Sequence, residues 1–299
     1  MSLNLVPARY RRYLAETRSA YLFLLPSLIV FGLFMVYPMV RGFVMSLHRW
    51  SLLGQPVFIN AENYSNLITD TEFWTSLRIT TVYTVMFVPS VTVIALIVAG
   101  ALNGPIRFKG LLRSLYFVPI MSSAIIVGLC FEWIYNGEVG VLAFVMDLLG
   151  LPKVGLLGSK QTVLPALAAM TVWSVLGYYM TIYLAGLQSI PAHLYEAARI
   201  DGANGWHLVR YVTVPLMRPI ILLVIVLATI TSFKIFDAIY VMTYGGPAGA
   251  TIVLTWLIYL EAFQNFRFGY AAAMTYVLFL IVLAITVIQL RLLRTRYEY

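Results

Sequence analysis

The sequence predicts an all-α, polytopic membrane protein with six transmembrane helices. Three observations carry that expectation. Hydrophobic residues make up 61% of the chain and charged residues 11%, against roughly a quarter charged in an ordinary soluble domain. No single soluble core of this size buries so much apolar surface. The apolar residues also gather into six runs, each near the ~20 residues that carry a helix across the hydrocarbon. Finally, Lys and Arg fall unequally on the two sides of those runs. The net charge of +8 raises the question of a nucleic-acid partner. The basic residues are spread over several short loops and form no stripe, so membrane topology accounts for them and no nucleic acid is expected.

Taken in order, residues 1–20 read as a cytoplasmic lead-in, with Arg9, Arg11, Arg12 and Arg18 against the single acid Glu16. The apolar run 21–40 is too long for a cleaved signal sequence and no small-x-small site follows, so it is expected to stay as the first span. Pro26 and Pro38 sit near its ends. Residues 47–73 carry Asn60, Glu62, Asn63, Asp70 and Glu72 and form an external loop, flanked by Trp50 and Trp74 at interface depth. The second span covers 77–102, with Pro89 as a kink. Asn103-Gly104-Pro105 breaks it, and Arg107, Lys109 and Arg113 mark a short inner loop.

The third span is expected over 115–134 as one helix, and 136–160 returns outside with a short helix at 142–149. Spans four, five and six follow at 162–187, 216–242 and 269–290, with an outer loop at 244–268. Residues 21–290 then form the six-helix transmembrane domain and 291–299 a cytoplasmic tail. Cys130 is the single cysteine. It excludes an internal disulfide, and in its apolar run it reads as a small packing residue.

The orientation follows from counting. Arg9, Arg11, Arg12, Arg18, Arg107, Lys109, Arg113, Arg199, Arg210, Arg218, Arg291, Arg294 and Arg296 fall on one side. Arg41, Arg49, Arg78, Lys153, Lys160 and Arg267 fall on the other. The first set is about twice the second on shorter segments, which puts both termini in the cytoplasm.

Between the fourth and fifth spans lies a polar island, Glu196-Ala197-Ala198-Arg199-Ile200-Asp201-Gly202-Ala203, running on to Val212-Thr213-Val214-Pro215. Pro191 suits a helix start, and 192–201 reads as a short helix with Leu194 and Ala198 one turn apart. Gly202 tolerates positive φ and stops it, and Asn204 can cap a second helix. Ala197 and Ala198 leave one side nearly bare, with Glu196 and Asp201 beside it. Helix physics alone leaves two readings open: an ordinary interfacial amphipathic loop, or a docking knob for a partner.

The spacing from Glu196-Ala197-Ala198 through Gly202 to Val212-Thr213-Val214-Pro215 resembles the EAA loop of binding-protein-dependent ABC importer permeases. Val212 and Val214 stand where that family usually has Ile and Leu. Further stretches resemble sugar-uptake permeases of the MalF- and UgpA-like branch: Phe58-Ile59-Asn60-Ala61-Glu62-Asn63-Tyr64, Trp133-Ile134-Tyr135-Asn136, Phe236-Asp237, Thr243-Tyr244-Gly245-Gly246-Pro247 and Phe268-Gly269-Tyr270-Ala271-Ala272-Ala273. The resemblance covers nearly the whole chain after residue 20. It implies a type I importer permease fold in a bacterial or archaeal inner membrane. It also implies a coupling loop over 189–215, with Glu196, Ala197, Ala198, Asp201, Gly202 and Ala203 docking an ATPase. The implied partners are a second homologous permease, two ATP-binding cassette subunits, an extracytoplasmic solute-binding protein and membrane lipid. Its implied cargo is an oligosaccharide, a pentose or a glycerol phosphate.

No Gly-x-x-x-x-Gly-Lys-Ser/Thr stretch occurs in the chain, so ATP and magnesium are expected on the partner ATPase, with no cofactor and no catalysis here. His48, His193 and His207 fall in loops or at interfaces without a matching ligand set. Lys234 and Asp237, three apart near the end of the fifth span, read either as a mutual ion pair or as a polar lining; either way they should avoid lipid. A sugar path needs hydroxyls and aromatic faces. Ser174 and Tyr178 on the fourth span, beside Trp173, and Thr231, Ser232 and Ile235 on the fifth supply them. The resemblance implies that these positions line the central cavity; ordinary helix packing is the competing role. A self-contained secondary transporter or channel is the alternative function. An intramembrane enzyme would require a convergent catalytic set that the His and carboxylate placement does not offer.

Overall fold

The structure, a computed structural model, describes residues 8–52 and 54–293. Residues 1–7 of the lead-in and 294–299 of the tail, with Arg294 and Arg296, lie outside the described residues. In chain order the elements are α1 (Ala8–Phe31), a π turn (Gly32–Val36), α2 (Tyr37–Ser46), β1 (His48–Arg49), β2 (Val57–Phe58), α3 (Glu62–Thr69), α4 (Thr71–Asn103), α5 (Lys109–Met121), α6 (Ala124–Ile134), α7 (Val141–Leu148) and α8 (Val163–Gln188). There follow α9 (Ala192–Ile200), α10 (Gly205–His207), a π turn (Leu208–Thr213), α11 (Val214–Phe233), α12 (Asp237–Met242), α13 (Leu254–Tyr259), a π turn (Leu260–Gln264) and α14 (Phe268–Leu293). β1 and β2 form a two-residue antiparallel clip in the loop between the first two spans, so the fold is all-α in substance.

Five stretches among the described residues are long and apolar enough to cross a membrane: Ser19–Ser46, Thr71–Asn103, Val163–Gln188, Gly205–Phe233 and Phe268–Leu292. The third span differs from the single helix expected over 115–134. It consists of α5 and α6, which meet at 97°. Ser122 and Ser123 between them are extended, with ψ of 150° and 132°, and the Ser122 hydroxyl turns back to Val118 O at 3.2 Å. Such local bonds compete with a continuing helix. The two halves also have different partners. α5 lies on α8, where Gly177 comes so close that a Cβ would meet Tyr116 O at 2.1 Å. α6 lies on α12, around Gly128 and Val241.

The core runs along α4 and α8. Tyr83, Phe87, Val91, Ala95 and Ala99 repeat every fourth residue of α4 and are fully buried, a single ridge of the i±4 kind. They pack with Leu167, Met170, Tyr179, Met180 and Tyr183 of α8. Alanines toward one end of this ridge let the helices close, as is usual where lipid supplies no hydrophobic drive. A second cluster joins Phe73 and Leu67 to Phe233, Leu254, Tyr270 and Met274. The first span is different. None of its most apolar window is buried inside the chain, and it touches α14 toward its end through Phe43 and Tyr276, whose rings lie 5.3 Å apart.

Cys130 is exposed on α6 and is therefore not the packing residue expected from its apolar run. Composition gave that segment no marker of which face meets lipid.

Candidate functional site

Two regions at opposite ends of the fifth span carry the polar residues singled out above. The first is the loop between α8 and α11. Pro191 is the N-cap of α9 at ψ 133°. The helix closes at Gly202, φ +84°, where the Gly202 N–H donates to Arg199 O at 3.0 Å and the Ala203 N–H to Ala198 O at 2.9 Å. This pair of bonds is a Schellman stop, which needs the left-handed residue that glycine supplies at least cost. Asn204 Oδ1 then accepts from the His207 N–H at 2.9 Å and opens the next helix. Tyr195 and Thr213 hydroxyls, 3.1 Å apart, pin the two arms together.

No side chain of α9 is buried. Glu196, Ala197, Asp201 and Gly202 are exposed, with Ala198 and Ala203 half-buried. Ile200 is 86% and Trp206 71% exposed. Sequence reasoning passed over these two, although large apolar residues either side of a glycine turn in a polar island are a legible signal. Behind α9 lies a groove of about 550 Å³, lined by Gly100, Asn103, Tyr195, Glu196 and Arg199 among others. The loop thus stands proud of the bundle. From Gly205 the helix is continuous to Phe233. It passes Pro215 through a π turn in which the Val214 N–H reaches back to Val209 O.

The second region is a cavity of about 270 Å³ between α4, α6, α8, α11 and α12. Ser174, Thr231, Ser232 and Ile235 all line it. Tyr178 does not. It is 40% exposed and packs edge-on against Tyr179, and it is Tyr179 that turns inward and donates to Thr231 Oγ1 at 3.3 Å. Ser232 is buried, its hydroxyl bonded to Thr84 Oγ1 at 2.9 Å and Thr229 O at 2.8 Å, so it ties α11 to α4 as well as facing the space. Trp173 lies outside the cavity, 5.1 Å from the Phe131 ring. Tyr83, Thr171 and Phe236 also line the wall; Tyr83 and Thr171 carried no sequence signal beyond their types, and Phe236 stood out only within the Phe236-Asp237 stretch.

The fifth span stops at Phe233 and not at 242. The Lys234 and Ile235 N–H groups tighten to Thr231 O and Ser232 O at 3.2 and 3.3 Å, and Phe236 leaves helical geometry at φ −141°. Thr255 Oγ1 donates to Ile235 O and so satisfies a carbonyl that the broken helix leaves free. The break removes the one-turn relation that would pair Lys234 with Asp237. The ion pairs among the described residues are Arg49–Glu62, Lys153–Asp147 and Arg267–Glu261. Lys234 and Asp237 are both exposed and both line the cavity. Lys234 caps the C-terminus of α11 and Asp237 opens α12, so each charge sits at the helix end of opposite polarity.

Residues 72–297 match the family model of the binding-protein-dependent transport system inner membrane component. The chain belongs to that family. It is 35% identical over 267 residues to a probable ABC transporter permease of Pyrococcus horikoshii, covering 88% of this chain and 91% of that one. It is 32% identical over 284 residues to the trehalose/maltose transport system permease protein MalF of Thermococcus litoralis, covering 95% and 96%. The fold is that of a chain in a bacterial ABC transporter that imports the acidic polysaccharide alginate, with a TM-score of 0.84 at 22% identity over 97% and 100% of the two chains. Members of this family are membrane subunits of multi-subunit ABC importers. No three His, Cys, Asp or Glu side chains among the described residues gather as a metal site.

Proposed function

We propose that this permease carries a sugar or sugar derivative, of the oligosaccharide, pentose or glycerol phosphate class, and is driven through the Glu196 loop by a separate ATPase. The trehalose and maltose cargo of the Thermococcus litoralis relative supports the substrate class. In this reading α9 and both termini face the cytoplasm. A second, homologous permease closes the open side of the cavity, and an extracytoplasmic binding protein delivers the cargo. Two ATP-binding cassette subunits, holding ATP and magnesium, grip the exposed loop.

The observation that carries the reading is a short rigid helix, ended by the Gly202 turn, with no buried side chain and with Ile200 and Trp206 presented beside Glu196 and Asp201. The loop continues as one helix from Gly205 to Phe233. At 1.5 Å per residue this is a strut of roughly 40 Å. A push on α9, passed through the Gly202 turn, therefore reaches Thr231 at the cavity along the Gly205–Phe233 helix, and two docked positions of the loop become two shapes of the path. Ser174 and Thr231 offer hydroxyls to the cargo, Ile235 and Phe236 apolar contact, and Ser232 holds the wall.

The test is Glu196→Lys and Gly202→Asp in the purified complex. Both are expected to leave the chain inserted and to abolish substrate-stimulated ATP hydrolysis. Wild-type stimulation in either would remove the coupling role, and uphill transport by the lone chain without an ATPase would replace it with a secondary transporter.

A further inference from the structure

Beyond the cavity, at the end of the fifth span opposite Glu196, the chain carries a continuous set of aromatic rings. Phe236 lines the cavity. Its ring lies 5.6 Å from Tyr240, nearly parallel at 27°, and Tyr240 lies 5.8 Å from Tyr244. Trp256, only 4% exposed, stands behind all three, at 5.9 Å from Phe236, 5.9 Å from Tyr240 and 6.4 Å from Tyr244. Tyr259 stacks on Trp256 at 5.3 Å. Ring pairs at these separations hold one another in place. Exposure rises along the row, to 38% at Tyr240 and 67% at Tyr244.

What these open faces meet is decided by their neighbours. Lys234 and Asp237, on either side of the helix break, are both exposed and both line the cavity; Tyr240 is exposed one turn past Asp237 on α12, and Tyr244 follows beyond the end of that helix. Lys234 and Asp237 make no ion pair with each other or with another described residue. Ionisable side chains facing lipid without a partner are costly, and spans keep them turned toward protein or water. These two charges therefore face water or a polar molecule, and Tyr240 and Tyr244 continue from them as rings with apolar faces and hydroxyl edges.

The backbone adds a second sign. Tyr244 sits at φ +49°, a left-handed position that Gly or Asn fills at less cost than a ring-bearing residue. Its N–H reaches Ile239 O at 2.8 Å, so the turn itself needs nothing from the phenol. Thr251 Oγ1 braces the following loop through Thr243 Oγ1 at 2.8 Å and Gly246 O at 2.7 Å. An unfavourable residue on a braced turn points to use of the side chain.

We infer that Tyr240 and Tyr244 form an outer stacking subsite for sugar rings, continuous through Phe236 with the cavity. It rests on the sugar reading above. Each ring takes the C–H face of one sugar unit while the phenols, Lys234 and Asp237 meet its hydroxyls.

The test uses the complete complex in proteoliposomes with its binding protein and labelled maltotriose, trehalose, lactose, arabinose and glycerol 3-phosphate. For whichever sugar is taken up, Tyr244→Asn removes the ring on a backbone that suits Asn. It is expected to raise KM about fivefold or more, the size of one lost ring contact. Tyr244→Phe should restore most of that affinity. Unchanged KM in Tyr244→Asn and Tyr240→Ala overturns the subsite and leaves the sugar reading intact. Loss of the second permease from the complex on size-exclusion would also overturn it, marking the row as a subunit contact. Uptake of none of the five would overturn the sugar reading and the subsite with it.

Discussion

The Tyr179 hydroxyl donates to Thr231 Oγ1 at 3.3 Å and ties the fourth span to the fifth at the edge of the cavity. Thr231 in turn donates to Leu227 O at 2.9 Å, so the bond anchors a wall residue without unwinding its helix. Interhelical bonds of this kind are worth about 0.6 kcal/mol on average and up to about 1.7 in membrane bundles.

Tyr179→Phe should therefore lower stability by about 1 kcal/mol and leave assembly intact. Thr231→Val should do the same, and the double change should cost little more than either, because both remove one bond. Thermal unfolding of the purified complex, read as a double-mutant cycle, checks this. Full additivity would separate the two residues.

Lys234 and Asp237 behave in the opposite way. Each sits at its own helix end and neither pairs with the other. Lys234→Met and Asp237→Asn should act additively on uptake KM, within about twofold of the product of the single effects. A double variant that restores wild-type KM would reveal a direct pair.

Gly177 allows α8 to touch the Tyr116 backbone, where a Cβ would come to 2.1 Å. Gly177→Ala is expected to cost about 1–3 kcal/mol through overpacking and Gly177→Leu to block assembly. Expression and monodispersity in detergent measure both. Wild-type behaviour of Gly177→Leu would show that α5 is free to move off α8.

At Gly202 the penalty is conformational, since nothing lies within 4 Å of a built Cβ. Gly202→Ala should cost about 1–2 kcal/mol locally and Gly202→Asn much less. Protease sensitivity of the loop should rank the three residues in that order. An Ala variant as resistant as wild type would mean that the turn has changed shape.

The loop between α8 and α11 was legible residue by residue. Gly202, Asn204 and the reach of α9 all follow from short-range rules of capping and φ preference, and those rules operate here without help from packing. The cavity was legible in part. Ser174, Thr231, Ser232 and Ile235 were named and meet there, whereas Tyr178 was named and its neighbour Tyr179 faces Thr231 instead. Adjacent residues on a helix differ by about 100°, and apolarity nearly all round leaves no moment to set the rotation.

By itself the sequence determined a membrane protein of six apolar spans, the position of its polar loop and the absence of a P-loop, because composition, run length and turn chemistry are local properties. Tertiary structure decided the rest: the 97° bend in the third span, the early end of the fifth, and the separation of Lys234 from Asp237. Each is a place where a helix gives up intrahelical hydrogen bonds because its two sides have different neighbours, and a linear pattern of apolar residues holds no record of who those neighbours are.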